Sequence, residues 1–370
     1  MSERVVQPRR GTLAWCGRAE QGAASRWEGR RKELADQSLD GNGAMTIEDT
    51  QSPLRRGFVA DIGGTNARFA IADLDTLRLS GSASFRCAEF ASLAAAADAY
   101  LDGIAERPVI GTIAVAGPVV GGTVRLTNSP WSFGLDELRS SLGLRRLLVL
   151  NDFEALAYAL PNLGHSELHQ IGGGSTVERA TKVVLGPGTG LGIASLVWSP
   201  TGWSAMASEG GHSSFAVEDA REFAMLERLL KGRERLSVER VVSGPGLANI
   251  YHVLLELQGR PAAPLQAPDV VKRALAGEDP VAEETLERFA TWLGRFAGDA
   301  ALFFAARGGV YLGGGIAPRI VDVLSAGPFR QAFEAKGRMA SYLAPVPIYV
   351  ILSGDAGLKG AAAATRVAGP

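Results

Sequence analysis

Three glycine-rich turns could bind an anion, because each follows a short apolar segment. They are Asp61-Ile62-Gly63-Gly64-Thr65-Asn66, Gly186-Pro187-Gly188-Thr189-Gly190-Leu191-Gly192 and Gly313-Gly314-Gly315. Glycine lets successive backbone N–H groups converge on a phosphate without a side chain in the way. Asp61 would repel a phosphate directly, but it could hold Mg²⁺ through water and so accept the phosphate indirectly. One such turn is commonly structural, whereas three of them favour a phosphate site.

The second turn differs from the glycine motif of dinucleotide-binding proteins. That motif needs a helix immediately after the glycines, whereas residues 193–198 are the β-branched and aromatic stretch typical of a strand. The Gly-Lys-Ser/Thr sequence of a P-loop is absent as well. We therefore interpret the second turn as a hairpin that grips phosphates.

Two polar groups could serve a hydroxyl-bearing substrate. Asn151 and Asp152 follow a buried strand, at the ligand-facing edge of an α/β sheet. Asp152 could accept a proton from a hydroxyl nucleophile, and Asn151 could bond neighbouring hydroxyls. The alternative is structural, since Asn151 with Glu154 would also form an acceptable helix cap.

A carboxylate and an imidazole flank a double glycine in Ser208-Glu209-Gly210-Gly211-His212. The glycines supply a bend, so both side chains can point at one small polyhydroxylated ligand. The alternative is a solvated carboxylate beside an ordinary turn histidine. Glu239 alone is typical of a helix surface, and the nearby Ser243-Gly244-Pro245-Gly246 predicts the start of a helix.

Strands and helices alternate in the manner needed to position these groups. Residues 58–61 and 67–73 flank the first turn, and residues 183–185 and 193–198 flank the second, so each turn predicts a hairpin. This repeat predicts a duplicated α/β architecture. Further strands are predicted at 109–116, 147–150, 309–312 and 347–352, and helices at 135–142, 153–160, 218–231, 247–257, 269–276, 281–306 and 356–367.

Length and composition exclude several classes of protein. A chain of 370 residues predicts two domains or one large two-lobed unit. The formal net charge of -1 provides no field for nucleic acid or an anionic membrane. With 2 cysteines and 4 histidines, neither a disulfide framework nor a multi-histidine metal site is expected. No apolar run of about 18 residues is uninterrupted, so no membrane span is predicted.

The first 50 residues differ from the rest of the chain. They carry many charges and no sustained apolar period, so we expect a disordered extension over residues 1–50. They also lack the apolar core of a secretory signal. Organised sequence begins soon after Met45, which could be the true start of translation.

Six motifs occur in one order: DIGGTNAR (61–68), LTNSPW (126–131), NDFEA (151–155), GPGTGLG (186–192), SEGGH (208–212) and SGPG (243–246). From about Phe58 to its C-terminus, the chain with these motifs resembles the bacterial ATP-dependent glucokinases of the actin/hexokinase/Hsp70 superfamily. The related ROK sugar kinases share the first turn but carry a cysteine-rich zinc motif. Because this chain has no such motif, the resemblance is to the group outside ROK.

The resemblance implies a two-lobed, actin-like (ribonuclease H-like) α/β ATPase fold with an interlobe cleft. The small lobe would hold residues 57–162 and 353–370, and the large lobe residues 163–352. The implied reaction transfers the γ-phosphoryl group of ATP, with Mg²⁺, to the 6-hydroxyl of D-glucose, the first step of glycolysis. The protein would be a cytoplasmic homodimer that binds neither nucleic acid nor membrane.

The resemblance also implies roles for matching residues. Asp152 resembles the general base, and Asp61 the residue that holds Mg²⁺ through water. The implied sugar ligands are Asn128, Asn151, Asp152, Glu209, His212 and Glu239. The implied nucleotide-binding residues are Asp61, Ile62, Gly63, Gly64, Thr65 and Asn66 of the first phosphate loop, Gly188, Thr189 and Gly190 of the second, and Gly313, Gly314 and Gly315 of the adenosine-side turn. The role of Glu239 depends on the resemblance alone.

Three other functions stay open. A sugar-sensing regulator on the same fold would need a DNA-binding helix-turn-helix, and the N-terminal segment shows no convincing helical period. A kinase of the same superfamily could act on another hexose or an amino sugar. A chaperone- or filament-type ATPase would need no sugar ligands. Glucose-dependent ATP turnover discriminates among these functions.

Overall fold

A hairpin around a glycine turn lies in each of the two larger β-sheets. The computed structural model describes residues 55–117, 119–120, 122–126, 131–261 and 265–368. Strand β1 (Arg56–Ile62) pairs antiparallel with β2 (Asn66–Asp73). Strand β10 (Lys182–Pro187) pairs antiparallel with β11 (Leu191–Ser199). Both predicted hairpins are therefore confirmed.

The other strands complete three sheets. They are β3 (Leu79–Arg86), β4 (Ile110–Val115), β5 (Val119–Val120), β6 (Thr123–Arg125), β7 (Ser132–Gly134), β8 (Arg146–Asn151), β9 (Leu168–Ile171), β12 (Gly202–Ser208), β13 (Val310–Leu312) and β14 (Ile348–Ile351). The strand orders are β3-β2-β1-β4-β8, β12-β11-β10-β13-β14-β9 and β5-β6-β7.

The two larger sheets share one connectivity over five strands, and β9 adds an antiparallel edge strand to the second. In each, three antiparallel strands are followed by parallel ones, which are β4 and β8 in the first sheet and β13 and β14 in the second. The carboxyl ends of parallel strands meet at one edge of a sheet. Asp61 and Asn151 therefore share an edge of the first sheet, and the second and third glycine turns share an edge of the second.

Eleven α-helices connect or cover the strands of the described residues. They are α1 (Leu93–Leu101), α2 (Leu135–Ser141), α3 (Asp152–Ala159), α4 (Ala220–Leu229), α5 (Gly244–Leu257), α6 (Ala267–Leu275), α7 (Pro280–Phe303), α8 (Val321–Ala326), α9 (Phe329–Glu334), α10 (Ala340–Leu343) and α11 (Ala356–Val367). The mixed α/β class predicted from the sequence is confirmed.

The central strands of each large sheet are buried on both faces, since successive residues point to opposite sides and pack in different apolar clusters. In β1, Phe58 packs in one apolar cluster and Val59 in another. In β10, Val183 packs against the helices around α7, whereas Val184 packs on the α3 side. The central strands are thus apolar at nearly every position.

Helices α3 and α11 form a close pair that connects the two sheets. Leu358 of α11 packs against the first sheet, and Ala157 of α3 packs against the second. The helices approach so closely that a Cβ at Gly360 would lie 1.9 Å from the backbone oxygen of Ala155. A side chain at position 360 would separate them.

Two further sequence predictions concern regions outside the sheets. None of the helices in the described ranges combines the length and apolar composition that crossing a bilayer requires. The predicted extension at residues 1–50, including Met45, lies outside the described residues.

Lys182 is a buried cation at the start of β10. Its ammonium group donates hydrogen bonds to the backbone oxygen of Gly308 at 3.1 Å and to the hydroxyl of Tyr311 at 3.2 Å. It also lies over the rings of Trp203 and Tyr311. Burial among these neutral groups lowers the pKa of Lys182 to about 8.

We expect the burial of Lys182 to make stability depend on pH. The unfolded chain holds this proton up to about pH 10.4, so the unfolded state binds more protons between pH 8 and that value. The free energy of unfolding should therefore rise across this window, by at most about 1.4 kcal/mol per pH unit. Chemical denaturation of Lys182→Met should show a shallower rise than the wild type. The control Lys231→Met removes an exposed lysine that is ion-paired with Glu256. A wild-type slope in Lys182→Met would contradict the assignment.

Candidate active site

A cavity of about 510 Å³ is lined by both large sheets and by helices α3 and α11. It brings together Asp61, Asp152 and the third glycine turn. The rest of its wall is formed by Arg68, Phe153, Leu156, Pro318, Arg319, Ile351, Leu352, Ser353, Gly354, Ala356 and Gly357. The predicted base, the predicted magnesium ligand and one predicted phosphate turn therefore face the same space.

Two carboxylates in this cavity have pKa values above the ordinary value. Burial, with a further contribution from the negative charge of Asp61, raises the pKa of Asp152 to about 7. Burial also raises the pKa of Asp61, against the opposing effect of Arg68, whose Nη1 lies 3.8 Å from Asp61 Oδ2. A carboxylate that titrates near neutral pH can accept and release a proton, as a general base must.

Asn151 has the structural role that the sequence left open. Its side-chain oxygen accepts the N–H groups of Phe153 at 2.9 Å and Glu154 at 3.3 Å, so it caps α3. Its Nδ2 donates to the backbone oxygen of Gly117 at 3.4 Å. The cap fixes the start of α3 and therefore the position of the next residue, Asp152.

The first glycine turn is held by contacts within it and from behind. The N–H of Gly63 donates to the backbone oxygen of Asn66 at 2.9 Å. The N–H of Cys87 donates to the backbone oxygen of Thr65 at 2.9 Å, and its thiol donates to that of Gly63 at 3.5 Å. Ile62 is fully buried in the apolar core, so only its backbone can face a nucleotide.

The second and third glycine turns lie against each other. A Cβ at Gly186 would come 2.5 Å from the backbone of Gly313, and one at Gly314 would come 2.7 Å from the backbone oxygen of Pro187. Gly314 also has a φ of +76°, which favours glycine. Residues 313–315 line the cavity, whereas residues 188–190 are not part of its wall.

The predicted sugar ligands Glu209 and His212 lie together but outside the cavity wall. The Oε2 of Glu209 is 3.9 Å from Nε2 of His212, and the two side chains are 76% and 54% exposed. Glu239 is not the surface residue that its local sequence suggests, because its Oε2 accepts the N–H of Leu191 at 2.9 Å. Asn128, another predicted sugar ligand, lies outside the described residues.

Two cationic residues of the cavity were missed by the sequence reasoning. Nη1 of Arg68 donates to the backbone oxygen of Gly354 at 2.8 Å, and Nη1 of Arg319 donates to that of Gly315. Arg68 is the last residue of the first motif, and this position was the one indication in the sequence that it belongs to the site. Arg319 follows the third turn by four residues and has no local signal.

Comparison with known proteins identifies the family. The glucokinase family model matches residues 58–368. A glucokinase of Neisseria meningitidis is 42% identical over 307 residues, covering 83% of this chain and 93% of that relative. The chain belongs to the glucokinase family. A glucokinase of Mesorhizobium japonicum is also 42% identical over 327 residues, covering 87% of this chain and 95% of that protein.

Solved structures agree with this assignment. A glucokinase from an Antarctic psychrotroph is 38% identical with a TM-score of 0.77, over 84% of this chain and 99% of that one. A ROK family glucokinase from Streptomyces griseus, solved with glucose and AMPPNP, shares the fold at 22% identity with a TM-score of 0.57, over 84% of this chain and 99% of that one. The predicted family and the predicted class of enzyme, an ATP-dependent hexose kinase, are confirmed.

The burial of Asp152 predicts an energetic cost in the ligand-free protein. Its pKa is about 7 when folded and about 3.9 when unfolded, so stability should fall as pH rises between these values. Asp152→Asn keeps the shape without the charge, and we expect it to raise the free energy of unfolding at pH 8 by about 1–3 kcal/mol. Urea denaturation at pH 4 and pH 8 measures this effect.

The matched control is Asp73→Asn. Hydrogen bonds from Thr76 lower the pKa of Asp73, so this variant should gain no stability at pH 8. If Asp152→Asn also gains none, Asp152 does not carry the cost of a buried charge.

Proposed function

We propose that this chain transfers the γ-phosphoryl group of ATP to the 6-hydroxyl of D-glucose, giving glucose 6-phosphate and ADP, the first step of glycolysis. The observation that carries this proposal is the position of Asp152 in one cavity with the third glycine turn. A base with a pKa near 7 suits removal of a hydroxyl proton at neutral pH. Membership of the glucokinase family supports the choice of sugar and phosphoryl donor.

In this mechanism the protein mainly positions the reactants and balances charge. One oxygen of Asp152 accepts the N–H of Phe153 at 3.0 Å, and the carboxylate would take the proton of the sugar hydroxyl. The oxygen of that hydroxyl then attacks the γ-phosphorus as the bond to ADP breaks. The first two glycine turns would bind the phosphates through backbone N–H groups and the third would lie on the adenosine side, with Arg68 and Arg319 as cations of the cavity.

The residues around Asp61 fit Mg²⁺. Magnesium is usually held by one or two carboxylates together with water and substrate phosphates, not by a complete protein cage. Asp61 supplies such a carboxylate, and the part of the chain that the structure describes contains no cluster of three or more His, Cys, Asp or Glu side chains for a metal. Asp61 would hold the ion, which when bound would neutralise phosphate charge.

We propose the two-lobed, actin-like form of this fold, with residues 57–162 and 353–370 in one lobe and 163–352 in the other. Support comes from two sheets of the same connectivity and from the close α3–α11 pair that connects them. Closure of the lobes would bring the exposed Glu209 and His212 towards Asp152. Asn151 and Glu239 would complete the sugar ligands, and closure would exclude water from the phosphoryl group.

Three finer points stay predictions. They are the contact of Asn128 with the sugar, the homodimer and the cytoplasmic location. Each comes from the family resemblance, and the proposed reaction depends on none of them.

We expect ADP release to require a sugar and to depend on Asp152. A coupled assay over a panel of hexoses and amino sugars should show the highest kcat/KM with glucose. Asp152→Asn should lower kcat by about 10²–10⁴-fold, while the Kd for glucose changes little. A variant that keeps more than about a tenth of the wild-type kcat would show that Asp152 is not the base. Sugar-independent turnover would instead favour an ATPase without a sugar substrate.

A further inference from the structure

Three parts of the candidate site meet at Leu191. This residue belongs to the second glycine turn and begins β11. Its N–H donates to Oε2 of Glu239 at 2.9 Å. Its backbone oxygen lies so near the segment carrying Glu209 and His212 that a Cβ at Gly211 would come within 2.2 Å. Leu191 is therefore held between two groups of predicted sugar ligands.

The segment that carries Glu239 is also attached to the segment that carries Glu209 and His212. The N–H of Val238 donates to the backbone oxygen of Ser213 at 3.0 Å. Ser214 and Ser237 form an antiparallel bridge. Nη1 of Arg235 donates to the backbone oxygen of His212 at 2.7 Å. A displacement of either segment would therefore be transmitted to the other.

The stretch of chain that follows Glu239 is also bonded to the second turn at Gly188. The N–H of Gly244 donates to the backbone oxygen of Gly188 at 2.8 Å. Between the two attachments, Gly190 lies so near Glu239 that a Cβ would come 2.5 Å from Oε2. The shape of the turn from Gly188 to Leu191 thus depends on where the carboxylate of Glu239 lies.

We propose that Glu239 is a positioning residue that couples sugar binding to the second phosphate turn. This inference rests on the proposed function. The bond to Leu191 occupies Oε2 and leaves Oε1 to accept a sugar hydroxyl. A bound sugar would hold the carboxylate in place, which would hold the Leu191 N–H and the turn in one geometry for the phosphates. Because coupling is reciprocal, nucleotide would raise the affinity for glucose by the same factor.

The coupling is measured as a ratio of dissociation constants. For each protein, calorimetric titration gives the Kd for Mg²⁺-AMPPNP without sugar and again with glucose at ten times the glucose Kd of that protein. The ratio is the Kd without sugar divided by the Kd with glucose. In AMPPNP an imido group replaces the oxygen that bridges the β- and γ-phosphorus atoms of ATP, so the γ-phosphoryl group is not transferred and the ternary complex does not turn over. We expect the wild-type ratio to be about fivefold or more. Glu239→Ala should bring it close to 1, and Glu239→Gln, which keeps a hydrogen-bond acceptor, should retain most of it.

The matched control is Glu209→Ala. Glu209 is the other predicted sugar carboxylate, and its own side-chain neighbour is His212, not the turn. We expect this variant to bind glucose more weakly but to show the wild-type ratio once glucose is saturating. Weaker sugar binding alone therefore leaves the ratio unchanged, whereas loss of the coupling through Glu239 brings it close to 1.

A second variant disturbs the bond between Leu191 and Glu239 by a change within the turn. Gly190→Ala places a methyl group where the Glu239 carboxylate lies, so it should lower the ratio even if Glu239→Ala does not fold. The double variant should lower the ratio no further than either single one, because both changes break one interaction.

The outcomes separate this inference from the proposed function. If wild-type protein does not bind glucose, the proposed function fails. If it binds glucose but the ratio is 1, or if Glu239→Ala keeps the wild-type ratio, the inference alone fails. It also fails if Glu209→Ala loses as much coupling as Glu239→Ala.

Discussion

Two half-buried carboxylates of like charge, Asp61 and Asp152, are the constraint on which the rest of the site depends. Burial disfavours the charged form of each, and the charge of Asp61 further disfavours the charge of Asp152. Helix α3 begins at Asp152, and the start of α11 lies so near Asp61 that a Cβ at Gly357 would be 2.8 Å from its Oδ2. Helix N-termini favour negative charge, so the fold offsets part of the cost it creates.

The separation of these carboxylates is set by the packing of α3 against α11. Leu358 of α11 packs on the first sheet and Ala157 of α3 on the second, and Gly360 lets the helices meet at the backbone of Ala155. A wider contact would move Asp152 away from Asp61 and from the glycine turns. The small residues in this helix pair are therefore a requirement of the chemistry as well as of the core.

The sequence predicts the elements whose signals are local. Glycine turns between apolar runs predict both hairpins, and helix α11 has the predicted bounds. The edge strand β3 (LSGSASFR) was missed, because its small and polar residues have no apolar alternation and its conformation depends on pairing with β2. At the site, Asp61 and Asp152 were predicted, but the bond of Arg68 to Gly354 joins residues 286 positions apart. Contacts of that range, like that of Glu239 to Leu191, leave no local pattern.

Titration of the two carboxylates tests the central claim most directly. Ligand-free protein labelled with ¹³C at the aspartate carboxyl carbons would be followed by NMR, with the Asp152 signal assigned by its loss in Asp152→Asn. This carboxyl should titrate near pH 7 in the wild type, and its pKa should be lower in Asp61→Asn, where the neighbouring charge is gone. A pKa near the ordinary value of about 3.9, or one unchanged by Asp61→Asn, would contradict the account.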